Sequence, residues 1–190
     1  MIVILLAVIA LAVLVLFVWY TTIVKRKNQV AEALADIDAQ LAQRHELLPN
    51  VLEIARRFMA HEKELLDNLT RLRGAAQGPL RAAGAQALAE KFHAENQLTA
   101  GLGRLFAVAG NHPQLKSDAV MLRAQSACQE AETNAAAARR FYNAAVTSLR
   151  NACQIFPGPL IAPLAGVTGM PPFFEAPAPY KEPVNAAPTV

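Results

Sequence analysis

The sequence predicts an all-α protein in three parts: a transmembrane anchor over 1–24, a helical bundle or coiled coil over 25–156, and a Pro-rich irregular tail over 157–190. Three observations carry this. Residues 1–24 contain no charged side chain. Residues 25–156 hold 17 of the 18 Lys and Arg and 13 of the 15 Asp and Glu, among apolar residues recurring at helical spacing. Residues 157–190 hold nine of the twelve prolines. Strand signals are nearly absent outside the first run, where β-branched residues suit burial in lipid.

The run MIVILLAVIALAVLVLFVWY opens the chain. Residues 2–23 as a helix would be about 33 Å long, matching a hydrocarbon core of roughly 30 Å. Trp19 and Tyr20 close the run, where amphipathic rings favour the headgroup region. A cleaved signal peptide would carry a basic start, a shorter apolar run and a small-x-small exit. None of these is present. Lys25, Arg26 and Lys27 follow the span and no cation precedes it, so the positive-inside rule puts the N-terminus outside and residues 25–190 in the cytoplasm. Ala7, Ala10 and Ala12 are wrongly spaced for a small-xxx-small seam, so the span reads as an anchor.

No Gly occurs before Gly74 and no Pro before Pro49. The spanning helix therefore has no reason to stop at the surface. Ile23, Val30, Leu34, Ile37, Leu41 and Leu48 recur at spacings of 3 and 4, with Lys27 and Arg44 in the polar slots. This is a coiled-coil seam. Val51, Ala55, Phe58, Leu65, Leu69 and Leu72 extend it, broken only by Glu62. Pro49 must kink the helix or end it. Continuous register favours one kinked rod from Ile23 to Leu72; a reversal at Leu48-Pro49-Asn50 is the alternative.

Gly74, Gly78, Pro79 and Gly84 mark a loop. A helix over roughly 85–109 follows, with Leu88, Phe92, Leu98, Leu102 and Leu105; Gly101 and Gly103 weaken it by about 1 kcal/mol each relative to Ala. Gly110-Asn111-His112-Pro113 ends it, and Pro113 suits the first turn of the next helix. In that last helix Met121, Ala124, Cys128, Ala131, Ala135, Ala138, Tyr142, Ala145, Leu149, Ala152 and Phe156 form a seam without a polar interruption. Most are small, so a partner helix can approach closely. Arg123, Glu130, Arg139, Arg140 and Arg150 lie off it.

Asn28-Gln29-Val30, Asp36-Ile37-Asp38, Arg44-His45-Glu46-Leu47-Leu48-Pro49-Asn50, Pro113-Gln114-Leu115-Lys116, Glu132, Arg139-Arg140-Phe141-Tyr142-Asn143 and Phe173-Phe174-Glu175 together resemble the LemA family of bacterial membrane proteins. The likeness spans roughly residues 20–175. It implies an N-terminal anchor in a bacterial inner membrane, an antiparallel bundle described as four-helix and no established enzymatic activity. The polar residues matching the family are Asp38, Arg44, Asn50, Glu53, Lys116, Glu132, Arg139, Tyr142 and Asn143. They read either as a network that fixes helix register, the favoured reading, or as a docking surface for a membrane partner.

Signals for chemistry are weak. The net charge of +3 is mixed in sign and lacks the clustered cations of a nucleic-acid surface. His61-Glu62-Lys63-Glu64 lacks the second His of a zincin helix, and His45, His93 and His112 read as solvated or capping residues. Cys128 and Cys153 on one helix would stand about 37 Å apart, too far for a disulfide. No phosphate loop, nucleophile elbow or paired acidic motif occurs. No enzyme, metal or cofactor is expected.

The tail is too rich in proline for helix or sheet, yet Leu160, Ile161, Val167, Met170, Phe173 and Phe174 are apolar anchors. Folding back on the bundle, touching lipid and binding a partner are all open to it. The favoured function is a non-enzymatic, single-pass membrane protein whose cytoplasmic bundle is a scaffold or adaptor. Its partners would be the bilayer and either another protein or a second copy. A regulatory or stress accessory of a membrane enzyme such as a protease is the alternative, and a secreted helical protein the third reading.

Overall fold

A computed structural model describes residues 1–175 except 81, 82, 113, 114, 116 and 117. Every regular element among the described residues is helical: α1 (Ile2–Phe58), a 3-10 turn (Ala60–Glu62), α2 (Lys63–Ala76), α3 (Ala85–Ala109), α4 (Ala119–Gln154) and α5 (Gly158–Ile161).

The 57 residues of α1 make a rod about 85 Å long. Residues 2–18 are exposed, and the bundle begins at Trp19, with Ile23 the first buried residue of the chain. One stretch of this helix is long and apolar enough to cross a membrane. Beyond it, Ile23, Val30, Leu34, Ile37, Leu41, Arg44 and Leu48 are buried at the expected spacing.

The helix passes through Pro49 unbroken, so the chain does not reverse at Leu48-Pro49-Asn50. Pro49 is exposed, which lets the carbonyl that loses its donor turn to water. Nor does one rod run on to Leu72. The reversal comes at Met59–Glu62, and Glu62 is part of the turn rather than a polar slot in a continuous seam. Met59 is 1% exposed and plugs the corner, while Phe58 is 38% exposed.

After the corner, α2 returns along α1: the Arg56 Nη2 donates to Thr70 Oγ1 at 3.0 Å. Asp38 then receives the Leu80 backbone N–H on both carboxylate oxygens, at 2.9 and 3.1 Å, fixing the α2–α3 connection. Next, α3 runs back against α2 so closely that a Cβ on Gly101 would meet Leu69 Cδ2 at 2.7 Å. The glycine read as a helix weakener is there to permit that approach.

The last long helix starts at Ala119, where the Asp118 carboxylate caps the Val120 and Met121 N–H groups. Pro113 itself lies outside the described residues. Along α4, Cys128, Ala131, Ala135, Tyr142, Ala145 and Leu149 are buried, and the alanines among them let α4 lie against α1. Two readings of this helix need correction. Arg139 is buried at 6% rather than off the seam, and Phe156 is 77% exposed because the helix has ended at Gln154.

The result is an up-down-up-down four-helix bundle with two apolar cores. The core next to the apolar N-terminal segment holds Ile23, Ile37, Leu41, Phe92, Tyr142 and Leu149. The distal core holds Leu48, Val51, Leu69, Leu98, Leu105 and Cys128. After α4 the chain turns through α5 and folds back along the bundle as far as Glu175.

A polar layer and an open groove

Between the two cores lies a layer of charged side chains. Arg44 enters it from α1, Glu95 and Thr99 from α3, and Glu132 and Arg139 from α4. Arg44 is 0% exposed and Glu95 1%. The Arg44 guanidinium donates through Nη2 to Glu95 Oε2 and through Nη1 to Glu132 Oε2. Thr99 accepts from Arg44 Nη1 at 2.7 Å and donates to Glu132 Oε2 at 3.1 Å. His45, one residue on, donates from Nε2 to Glu95 Oε1 at 2.8 Å. Arg139 Nη1 closes the chain on Glu132 Oε1 at 3.2 Å.

Two guanidiniums facing two carboxylates make the layer neutral while His45 is neutral. A buried Arg needs acceptors, and those of Arg44 come from α3 and α4 together, so the layer ties the placement of three helices. Burial also pulls the Arg139 pKa below its ordinary value, and the Arg44 charge adds to that, while Glu132 opposes both.

A second set of contacts binds the tail. Tyr142 Oη donates to the Pro172 carbonyl at 2.9 Å. Asn143 clasps Phe174 from both sides, donating to its carbonyl and accepting from its N–H, each at 2.9 Å. The Phe174 ring is 1% exposed and stacks on Phe92, with centroids 4.0 Å apart and planes 13° from parallel. Arg139 covers its other side, with Cζ 4.6 Å from the centroid. The tail thus reaches the polar layer at Phe174. Burial pushes the Tyr142 phenol up to about 12.

The candidate polar residues fall into three groups. Arg44, Glu132 and Arg139 meet in the layer, while Tyr142 and Asn143 hold the tail and Asp38 holds the α2–α3 connection. Asn50 is exposed, and Glu53 pairs at the surface with Arg57 one turn on. These two belong to no network. Lys116 lies outside the described residues. The sequence reading passed over Glu95, Thr99 and His45, which it took for a solvated or capping residue; its side chain is only 13% exposed.

Between α3 and α4 the bundle is open. A groove of about 850 Å³ runs there, with Leu102, Phe106 and Ala136 on its walls and Glu132, Arg139 and Phe174 along its base. Arg139 Nε and Nη2 are buried and have no acceptor. Cys128 also lines the groove as a free thiol. Burial pushes its pKa up and the Arg44 charge pulls it part of the way back, so the thiol is kept protonated and inert. Among the described residues no group of three or more His, Cys, Asp or Glu converges as metal ligands would.

A comparison with known families finds that the model described as LemA family matches residues 33–189. No curated protein matches the chain.

Proposed function

The chain belongs to the LemA family, and we propose that it is a non-enzymatic, single-pass membrane adaptor. In this reading residues 1–24 cross a bacterial inner membrane with the N-terminus outside. The bundle stands in the cytoplasm, on the side where Lys25, Arg26 and Lys27 meet the inner leaflet. The groove between α3 and α4 receives a polypeptide segment of its partner. One observation supports this above the others: Arg139 is sealed into the groove with two nitrogen atoms lacking acceptors, beside an apolar wall. Unpaired donors of this kind carry a desolvation cost that a carbonyl or carboxylate on an incoming segment removes.

The test is site-specific photo-crosslinking in intact cells from Gly103, whose Cβ position has nothing within 4 Å. The expected result is a discrete adduct from Gly103 that is missing from an exposed position such as Arg56. A doubled chain identifies self-association and a scaffold. A single membrane enzyme identifies the alternative, a regulatory accessory. No adduct from the groove contradicts both.

A further inference from the structure

We propose that the turn after α4 is a second membrane contact, in which Ile155, Phe156, Leu160 and Leu164 enter the headgroup region of the bilayer that α1 crosses. The proposal rests on the reading of residues 1–24 as the anchor.

Depth is the first argument. The Trp19 indole Nε1 donates to the Ala152 carbonyl at 3.0 Å, so the end of α4 stands level with the aromatic residue that closes the spanning run. Eight residues along α1, Lys27 Nζ donates to the Gly166 carbonyl at 3.0 Å. Ile161, Ala162 and Ala165 pack in the same core as Ile23. Segment 152–166 is therefore bound to α1 between Trp19 and Lys27, a rise of about 12 Å. The polar region of a bilayer on each side is roughly 5–8 Å thick, from the difference between its whole and hydrocarbon thickness. The turn overlaps it.

Surface chemistry is the second argument. Ile155 is 57% exposed, Phe156 77%, Leu160 66% and Leu164 77%. Residues 151–174 contain no charged side chain, although the segment folds against a charged bundle. Large apolar side chains grouped on one turn mark an interaction surface. Lys25 and Arg26, exposed at the same level, suit the phosphates of that surface.

The backbone holds the turn rigidly in place. A Cβ on Gly158 would lie 2.1 Å from the Ala152 carbonyl oxygen, so the chain closes on α4 as tightly as a backbone can. The exposed residues are thus presented by a fixed loop. The bundle gains two attachment points, α1 and the turn, which fix its tilt relative to the bilayer.

The experiment places an environment-sensitive NBD fluorophore on single cysteines in the full chain, reconstituted in vesicles of phosphatidylethanolamine and phosphatidylglycerol, with Cys128 and Cys153 replaced by Ala. Labels go at Leu160→Cys and separately at Leu164→Cys. Val120→Cys is the control: it is also an exposed apolar residue (60%), but lies about 50 Å along α4 from Cys153. Leu11→Cys reports the anchor. Blue-shifted emission and quenching by shallow doxyl lipids at 160 and 164, but not at 120, is expected. Quenching at 11 with none at 160 and 164 overturns the inference and leaves the anchor standing. No quenching at any site overturns both.

Discussion

Arg44 of α1 and Glu95 of α3 are both sealed from solvent, and each is the other's principal charge partner. Their pair divides the apolar interior into a core beside the apolar N-terminal segment and a distal core. Glu132 and Thr99 accept from the other terminal nitrogen of Arg44, and His45 donates to the second oxygen of Glu95. A layer of this kind is a poor source of stability compared with apolar packing, but a misaligned helix would strand a buried charge.

The first prediction follows from that asymmetry. Glu95→Ala leaves Arg44 buried with one carboxylate fewer and should destabilise the bundle by about 3 kcal/mol. Arg44→Met together with Glu95→Leu should cost less than the sum of the single changes, because no charge is left behind. Urea midpoints of the full chain in mild detergent test this, and additive losses would contradict it.

A second prediction concerns the tail. Phe174→Ala removes the stack on Phe92 and the face offered to Arg139, at a cost of about 3 kcal/mol. Because the tail can detach while the bundle stays folded, the loss appears as local opening. Protease cleavage between Val167 and Phe174 should quicken by roughly a hundredfold, following the conversion of 1.4 kcal/mol per tenfold change. The bundle's own urea midpoint should change much less.

Tyr142 gives a pH signature. Its phenol titrates near 10 in an unfolded chain and near 12 when folded, so the folded state holds the proton more tightly. The stabilisation is complete below pH 10 and is lost as pH rises through about 10 to 12, at most about 3 kcal/mol of it. Tyr142→Phe should remove that slope and also the hydrogen bond to the Pro172 carbonyl. Subtracting the two pH profiles cancels the Lys titrations they share. Parallel profiles would refute the assignment.

The packing of α4 on α1 is tested by overfilling it. Ala135 is 0% exposed in the core shared with α1, so Ala135→Leu should destabilise by ~1–3 kcal/mol. Glu130→Gln, on the exposed side, should stay within about 0.5 kcal/mol of the parent. Arg150 is unsuitable as a neutral control, since its guanidinium lies 4.6 Å from the Phe173 ring centroid. Equal midpoints for Ala135→Leu and the parent would remove the close approach from the account.

What could be read from the sequence divides along physical lines. The seam of α1 was legible because Ile23 to Leu48 repeat every 3 or 4 residues, and Arg44 stood out as a charge in an apolar slot. Glu95 carried the same signal between Phe92 and Leu98 and was passed over, although a buried Arg demands a carboxylate somewhere. The corner at Met59–Glu62 had no Gly, Pro or Asn to announce it. Its residues are acceptable in a helix, and packing of Met59 decides the turn against their local preference. Phe173 and Phe174 were legible as apolar anchors, but not their partners. Those contacts join residues some thirty to eighty positions apart, for which local periodicity holds no information.

The anchor and its orientation are tested most directly by thiol accessibility at Val120→Cys, with Cys128 and Cys153 replaced by Ala. Val120 is exposed at the end of the bundle far from Trp19, so access depends only on which compartment holds it. A membrane-impermeant maleimide should fail to label it in cells whose outer barrier alone is opened, and should label it after lysis. Efficient labelling before lysis would place the bundle outside the cytoplasm and contradict the account.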